Sequence, residues 1–151
     1  MIRIMFVCTG NICRSPMAEL VMKQLVRKEG LDWVILSAAN TGDEVGNPVY
    51  PPVRALLEAR GISCKGKYSV QLRREDYPNY DYFIGMDARN RRDMLRIFGG
   101  DPENKVHLLL DYTDHPHEIA DPWYTRDFRK AEAEINEGCA ALLRTLRARD
   151  N

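Results

Sequence analysis

The stretch "IRIMFVCTGNICRSPMAEL" (Ile2–Leu20) decides the architecture of this chain. Ile2–Cys8 is a near-continuous apolar run, as in a strand buried on both faces of a parallel sheet. A loop with Gly10 follows. "PMAELVMKQLVRKEG" then takes a helical period. Pro16 suits its first turn, Met17, Leu20, Val21 and Leu25 share a face, and Gly30 stops it. A strand of this kind needs helices on both sides, so an α/β fold is expected.

The rest of the chain repeats the alternation. "WVILSAA" (Trp33–Ala39), "YDYFIGMD" (Tyr80–Asp87) and "KVHLLLDY" (Lys105–Tyr112) read as strands. "VRALLEARG", opened by Pro51 and Pro52 and closed by Gly61, reads as a short helix, and "ARNRRDMLRIFGG" as a longer one. From Asp127 to Ala148 a stripe of Phe128, Ala131, Ile135, Cys139, Leu142 and Leu146 marks a long amphipathic helix. The pattern predicts an open, four-stranded, mostly parallel sheet flanked by helices, a Rossmann-like three-layer sandwich with right-handed crossovers. With 151 residues and no repeat or linker, residues 1–151 are expected to form one domain. Such sheets bind ligands at the carboxyl ends of their strands. Cys8, the loop from Asn40 and the Asp-Pro loop at 121–124 all follow strands, so they are expected on one edge.

Lys plus Arg and Asp plus Glu each total 22. Zero net charge argues against a nucleic-acid or membrane-surface partner. No apolar run approaches membrane-spanning length, and "MIRIMFVC" lacks the features of a signal peptide. A cytoplasmic location is the expectation. Four cysteines in a chain of this size do not make a disulfide scaffold; in a reducing compartment they are buried, catalytic or metal-bound.

Four readings compete for the loop from Cys8 to Ser15. A metal clip needs cysteine pairs at closer spacing and further ligands, which Cys64 and Cys139 do not supply. Neither glycine pattern of a nucleotide loop occurs. A structural disulfide conflicts with the compartment. A nucleophile with an anion cradle remains. A thiolate at a helix N-terminus is stabilised by the dipole and by free N–H groups. The five residues between Cys8 and Arg14 — Thr9, Gly10, Asn11, Ile12 and Cys13 — can curl their N–H groups around one anion. Gly10 permits unusual backbone angles and Asn11 tolerates the left-handed region. Arg14 offers a planar fork to two phosphate oxygens, and Ser15 a hydrogen bond to the Cys8 sulfur. Cys-x5-Arg alone is weak; the buried strand before it and the helix after it give it weight.

Cysteine-based phosphoester cleavage also needs a proton for the leaving oxygen. Asp121, in "ADPWY", is the candidate, with Trp123 and Tyr124 as aromatic surface beside it. The plain alternative is that Asp121 is a turn residue or a helix N-cap. "DHPHE" (Asp114–Glu118) has too few convincing ligands for a metal and reads as a solvated loop. "RNRRD" (Arg89–Asp93) is a solvated basic face, and Met17 and Met22 fill the core.

"VCTGNICRSPMAE" and "DPWY", with "LSAANTGDEVGNP" and "YDYFIGMD", resemble the low-molecular-weight protein tyrosine phosphatases over nearly the whole chain. The resemblance implies Cys8 as nucleophile, Arg14 as the phosphate and transition-state ligand, and Asp121 as general acid and then base. It implies that Asn11, Ser15 and Ser37 support the loop, and that Cys13 can pair with Cys8 on oxidation. Ile12, Asp43, Trp123 and Tyr124 would form the substrate slot. The implied substrate is a phosphotyrosine protein or small aryl phosphate, with no metal or cofactor, acted on by a monomer or weak dimer. Three positions depart from the pattern. Asp43 stands where many members carry an aromatic, so the slot is expected to be more open or charged enough to favour basic flanking residues. "KYSV" (Lys67–Val70) replaces a common His-x-Ala-Arg, which puts a supporting polar link in question. Trp123 replaces a common Tyr.

The same fold serves other chemistries. Arsenate reductases of similar loop sequence need two further cysteines close together, and Cys64 and Cys139 lie apart. Phosphoarginine phosphatases resemble this chain but typically carry Thr at the position of Ile12. A non-catalytic phosphopeptide binder has no use for Asp121.

Overall fold

A computed structural model describes residues 1–150. Strand β1 (Arg3–Cys8) is the second of four in a sheet of order β2-β1-β3-β4, with β2 at Val34–Ala39, β3 at Tyr82–Gly85 and β4 at Val106–Leu108. All three pairings are parallel, which sharpens the mostly parallel sheet expected. The strand is apolar throughout because both its faces are covered. Ile4, Phe6 and Cys8 point into one cluster, Met5 and Val7 into the other.

Helices α1 (Arg14–Lys28) and α5 (Phe128–Asp150) cover the first face. Met17, Ala18, Val21 and Met22 meet Ile135, Cys139, Leu142 and Leu146 in that core, while Leu20 and Leu25 are only partly buried. Helix α3 (Ala88–Phe98) covers the other face, where Met94 and Phe98 pack with Phe83 and Val106. Helix α2 (Pro51–Glu58) starts on the two prolines and reaches the first core through Val53 and Leu57. Among the described residues no helix is long and apolar enough to cross a membrane.

Three of the differences from the expected boundaries have a visible cause. Helix α1 starts at Arg14, so Pro16 is its third residue; the N–H missing there has no intrahelical partner in any helix. Strand β3 is four residues long, since the N–H groups of Met86 and Asp87 turn to Asn90 Oδ1 (3.0 and 3.2 Å). The apolar run after Lys105 holds only a three-residue strand, and Leu109–Tyr112 coils into a 3₁₀ turn that packs on α5 and buries Leu109 and Leu110 in the first core. Periodicity does not separate a short buried strand from a buried turn. A four-residue helix α4 (Pro122–Thr125) lies in a segment read as loop, and a second 3₁₀ turn (Arg74–Asn79) in a segment to which the pattern gives no element.

Gly138 lets α5 press on that turn. A Cβ built there would lie 2.5 Å from Leu109 Cγ. Alanine gains about 1 kcal/mol of helix propensity over glycine, but overpacking a tight core costs about 1–3 kcal/mol. Gly138→Ala is therefore expected to lower stability by about 1 kcal/mol in urea titration. A stabilised variant would show that α5 can lift off Leu109.

Candidate active site

Cys8 ends β1 and Arg14 begins α1, so the strand–helix crossing must close in five residues. Asn11 closes it in the left-handed region, at φ 57°. Its side chain fixes the loop in three directions: Nδ2 donates to Ser15 Oγ (2.7 Å) and Ser37 Oγ (2.9 Å), and Oδ1 accepts from Val70 N (3.1 Å). Neighbouring segments hold the loop backbone. Ser69 Oγ donates to Gly10 O (2.8 Å), Tyr50 N to Ile12 O (2.9 Å) and Asn40 N to Cys8 O (3.0 Å). Ser15 meets the Cys8 sulfur twice, through Oγ at 3.0 Å and through its N–H at 3.3 Å.

Arg14 is buried with 1% of its side chain exposed. Its Nη1 donates to Asp87 Oδ2 and to Ile119 O, both at 2.7 Å. Its Nη2 lies 3.4 Å from Asp121 Oδ2. Its Nε is buried without a hydrogen-bond partner in the protein. One edge of the fork is thus tied down and the other is left for an oxyanion. Burial alone would lower the Arg14 pKa; the Cys8 and Asp121 charges, then Asp87, outweigh it and raise it. The guanidinium stays charged.

Asp121 is the helix N-cap that the sequence allowed, and its second oxygen faces the buried arginine. It is the N-cap of α4, with Oδ1 accepting from Trp123 N at 3.0 Å, while Oδ2 faces Arg14. Cys8, Ile12, Asp43, Asp121, Trp123 and Tyr124 line one pocket. Thr41 and Glu44 line it too, though neither was singled out by sequence. Cys64 and Cys139 lie elsewhere: Cys139 is fully buried on α5, where its Sγ donates to Ala18 O at 3.7 Å, and burial lifts its thiol to about 12.

Two supports escaped sequence reading. Asp87, which orients Arg14, is the N-cap of α3, and Asn90 completes its capping box. Its only signal is an acidic residue at a strand's carboxyl end. Glu19 is a buried carboxylate on α1, reached by Ser37 Oγ (2.6 Å), Lys23 (2.6 Å) and Lys67 (2.8 Å). The polar link questioned at "KYSV" is therefore present, with Lys67 as its outer member. It runs Lys67–Glu19–Ser37–Asn11–Ser15–Cys8. His115 and His117 reach across to Glu137 (3.2 Å) and Glu134 on α5. Among the described residues no three His, Cys, Asp or Glu side chains are grouped to hold a metal ion.

Residues 3–151 match the family model "Low molecular weight phosphotyrosine protein phosphatase". The chain belongs to that family. It is 37% identical over 150 residues to the low molecular weight protein-tyrosine-phosphatase YfkJ of Bacillus subtilis, covering 97% of this chain and 96% of the relative. The crystal structure of YfkJ superposes with a TM-score of 0.96 over 100% of this chain and 98% of that one, at 35% identity. The human low molecular weight phosphotyrosine protein phosphatase is 35% identical over 154 residues, covering 93% of this chain and 92% of the relative. A Drosophila arginine phosphatase shares the fold as well, with a TM-score of 0.87 and 29% identity over 95% of this chain and 96% of that one.

Within this phosphotyrosine phosphatase family fold, Lys67 gives a measurable handle. Burial would raise the Glu19 pKa; the Lys67 charge, then hydrogen bonds from Lys23, Lys67 and Ser37, outweigh it and lower it. A carboxylate with a depressed folded pKa adds stability at neutral pH that is lost as pH falls through that pKa. Lys67→Met is expected to cost about 1–3 kcal/mol at pH 7, with the difference from wild type shrinking as the pH drops below the carboxylate range. Urea denaturation at pH 7 and at about pH 3, below the carboxylate range, measures this; a penalty equal at both would mean that Lys67 contributes packing alone.

Proposed function

We propose that this protein hydrolyses phosphotyrosine in proteins or peptides, and small aryl phosphates, through a phosphocysteine intermediate. The observation that carries the reading is Arg14. Its Nη1 is saturated, its Nε is unpartnered, and both lie at the loop that begins with Cys8. Donors set in advance around a developing oxyanion contribute most of the rate enhancement in such chemistry, and a buried guanidinium supplies them without a metal.

In the first step the Cys8 Sγ–P bond forms and the P–O bond to the phenol breaks. The departing oxygen keeps the bonding pair and takes the proton of Asp121. In the second, water attacks phosphorus, its proton goes to the Asp121 carboxylate, and Cys8 leaves as thiolate. Ser15, at 3.0 Å, can stabilise the sulfur as it departs. Ile12, Trp123 and Tyr124 give the pocket apolar and aromatic surface for a phenyl ring. Apolar Ile12 favours a ring over the guanidinium of phosphoarginine. Cys64 and Cys139 stand outside the pocket, which argues against an arsenate relay.

The compartment proposed is the cytoplasm, in keeping with four unpaired cysteines. Cys13 is the proposed partner of Cys8 under oxidative stress. A hydroperoxide converts the Cys8 thiolate to a sulfenic acid, and the Cys13 thiol displaces water from it to form the disulfide. Burial, then the Cys8 and Asp121 charges, push the Cys13 pKa up and keep it a thiol until then.

Hydrolysis of p-nitrophenyl and phenyl phosphate in the presence of a chelator tests the reading. Cys8→Ser is expected to lose more than about a thousandfold in kcat. Asp121→Ala should lose about a hundredfold or more on phenyl phosphate and far less on the better leaving group. Wild-type turnover by Cys8→Ser removes the nucleophile; an equal loss on both esters makes Asp121 a structural cap. Phosphoarginine is expected to react at least about tenfold more slowly than phosphotyrosine.

A further inference from the structure

The pocket has a chemically lopsided mouth. Trp123 and Tyr124 give its lining aromatic surface, and the neighbours Asp43 and Glu44 add an acidic wall of two carboxylates. That acidic wall is held in place. Thr41 donates to Thr9 O through N (3.3 Å) and Oγ1 (2.9 Å), which ties the segment to the phosphate loop. Gly42 passes so close to Gln71 that a Cβ there would lie 3.0 Å from its Oε1. Glu44 lies over Gly10, whose Cβ would sit 3.1 Å from Glu44 Cγ, and accepts from Asn47 Nδ2 at 2.5 Å.

Neither carboxylate has a cation. Among the described residues no salt bridge involves Asp43 or Glu44, and Asp43 makes no side-chain hydrogen bond. Arg126, beside Trp123, is already engaged: it donates to Tyr50 Oη (3.1 Å) and Trp123 O (3.4 Å) and stacks over the rings of Tyr50 and Phe128. The rim therefore keeps uncompensated negative charge, although the group bound beneath it is a dianion. A substrate that brings its own cation relieves that conflict.

We infer that Asp43 and Glu44 are specificity-determining residues that select phosphotyrosine peptides with lysine or arginine beside the phosphotyrosine. The inference rests on the phosphatase reading above. With the phosphate on Arg14 and the ring on Ile12, the peptide backbone crosses the mouth. An extended chain rises about 3.3 Å per residue, so a long basic side chain one or two positions away reaches the acidic wall. Exposed ion pairs are individually weak, and two of them amount to about three- to tenfold in kcat/KM.

The test compares kcat/KM on three phosphotyrosine peptides that differ only in flanking residues: lysine, alanine or glutamate. For wild type the order expected is lysine, alanine, glutamate, with about three- to tenfold between the ends. The ratio should contract toward one in the Asp43→Asn/Glu44→Gln double variant, and in wild type at about 0.5 M salt. A ratio needs no correction for the folded fraction of a variant. Equal rates on all three peptides, or a preference kept by the double variant, overturn the inference while leaving a phosphatase. Loss of all three peptides together with p-nitrophenyl phosphate overturns the phosphatase reading itself.

Discussion

The guanidinium of Arg14 is buried, charged and held by three partners from two distant segments of the chain, and the rest of the structure is arranged around that fact. Burying a cation costs several kcal/mol unless its donors are matched. Here Asp87 at the N-terminus of α3, the Ile119 carbonyl and Asp121 at the N-terminus of α4 supply the match. Those partners lie 73, 105 and 107 positions away, so the start of α1 cannot settle until the segments that follow β3 and β4 are in place. The same geometry turns Nε inward without a partner. Stability and the proposed anion affinity come from opposite edges of one planar group.

The loop in front of Arg14 is shaped by a second buried charge. Asn11 sits in a backbone region that costs a non-glycine residue about 1–2 kcal/mol. Its three side-chain contacts offset that cost. Two of them lead to serines, and Ser37 donates onward to Glu19. Removing the cations from Glu19 would not leave a neutral gap but an unmatched buried carboxylate, which is why lysines at 23 and 67 close the network from outside.

The elements that could be read in advance were those whose partners are close in sequence. Cys8, Arg14 and Ser15 lie within one turn of chain, and the two-sided burial of β1 is written in its own residues. What could not be read depends on distance. Glu19 looks like an exposed helix charge until Lys67, 48 positions on, is packed against it. Asp87 looks like any helix cap, because its second role needs Arg14. Leu109 and Leu110 extend a strand pattern, yet the close approach at Gly138 draws them under α5 instead.

Asp121 joins these two kinds of information. A helix cap and a site carboxylate looked like alternatives, but a carboxylate has two oxygens, and here each does one task. Capping α4 immobilises the group without consuming the oxygen that faces Arg14. Its distance from Cys8 is then set by an aromatic stack. Trp123, two residues on, packs on Tyr50 with ring centroids 4.8 Å apart, and Tyr50 packs on Phe128 at 5.9 Å. Tyr50 also donates its N–H to Ile12 O, inside the loop from Cys8 to Arg14. Arg126, at φ 62°, turns the chain back so that its guanidinium caps the same ring. The loop with the proposed nucleophile and the loop with the proposed acid are 113 positions apart, yet both are fastened to one tyrosine. Any change that shifts that ring moves the acid relative to the sulfur without touching either.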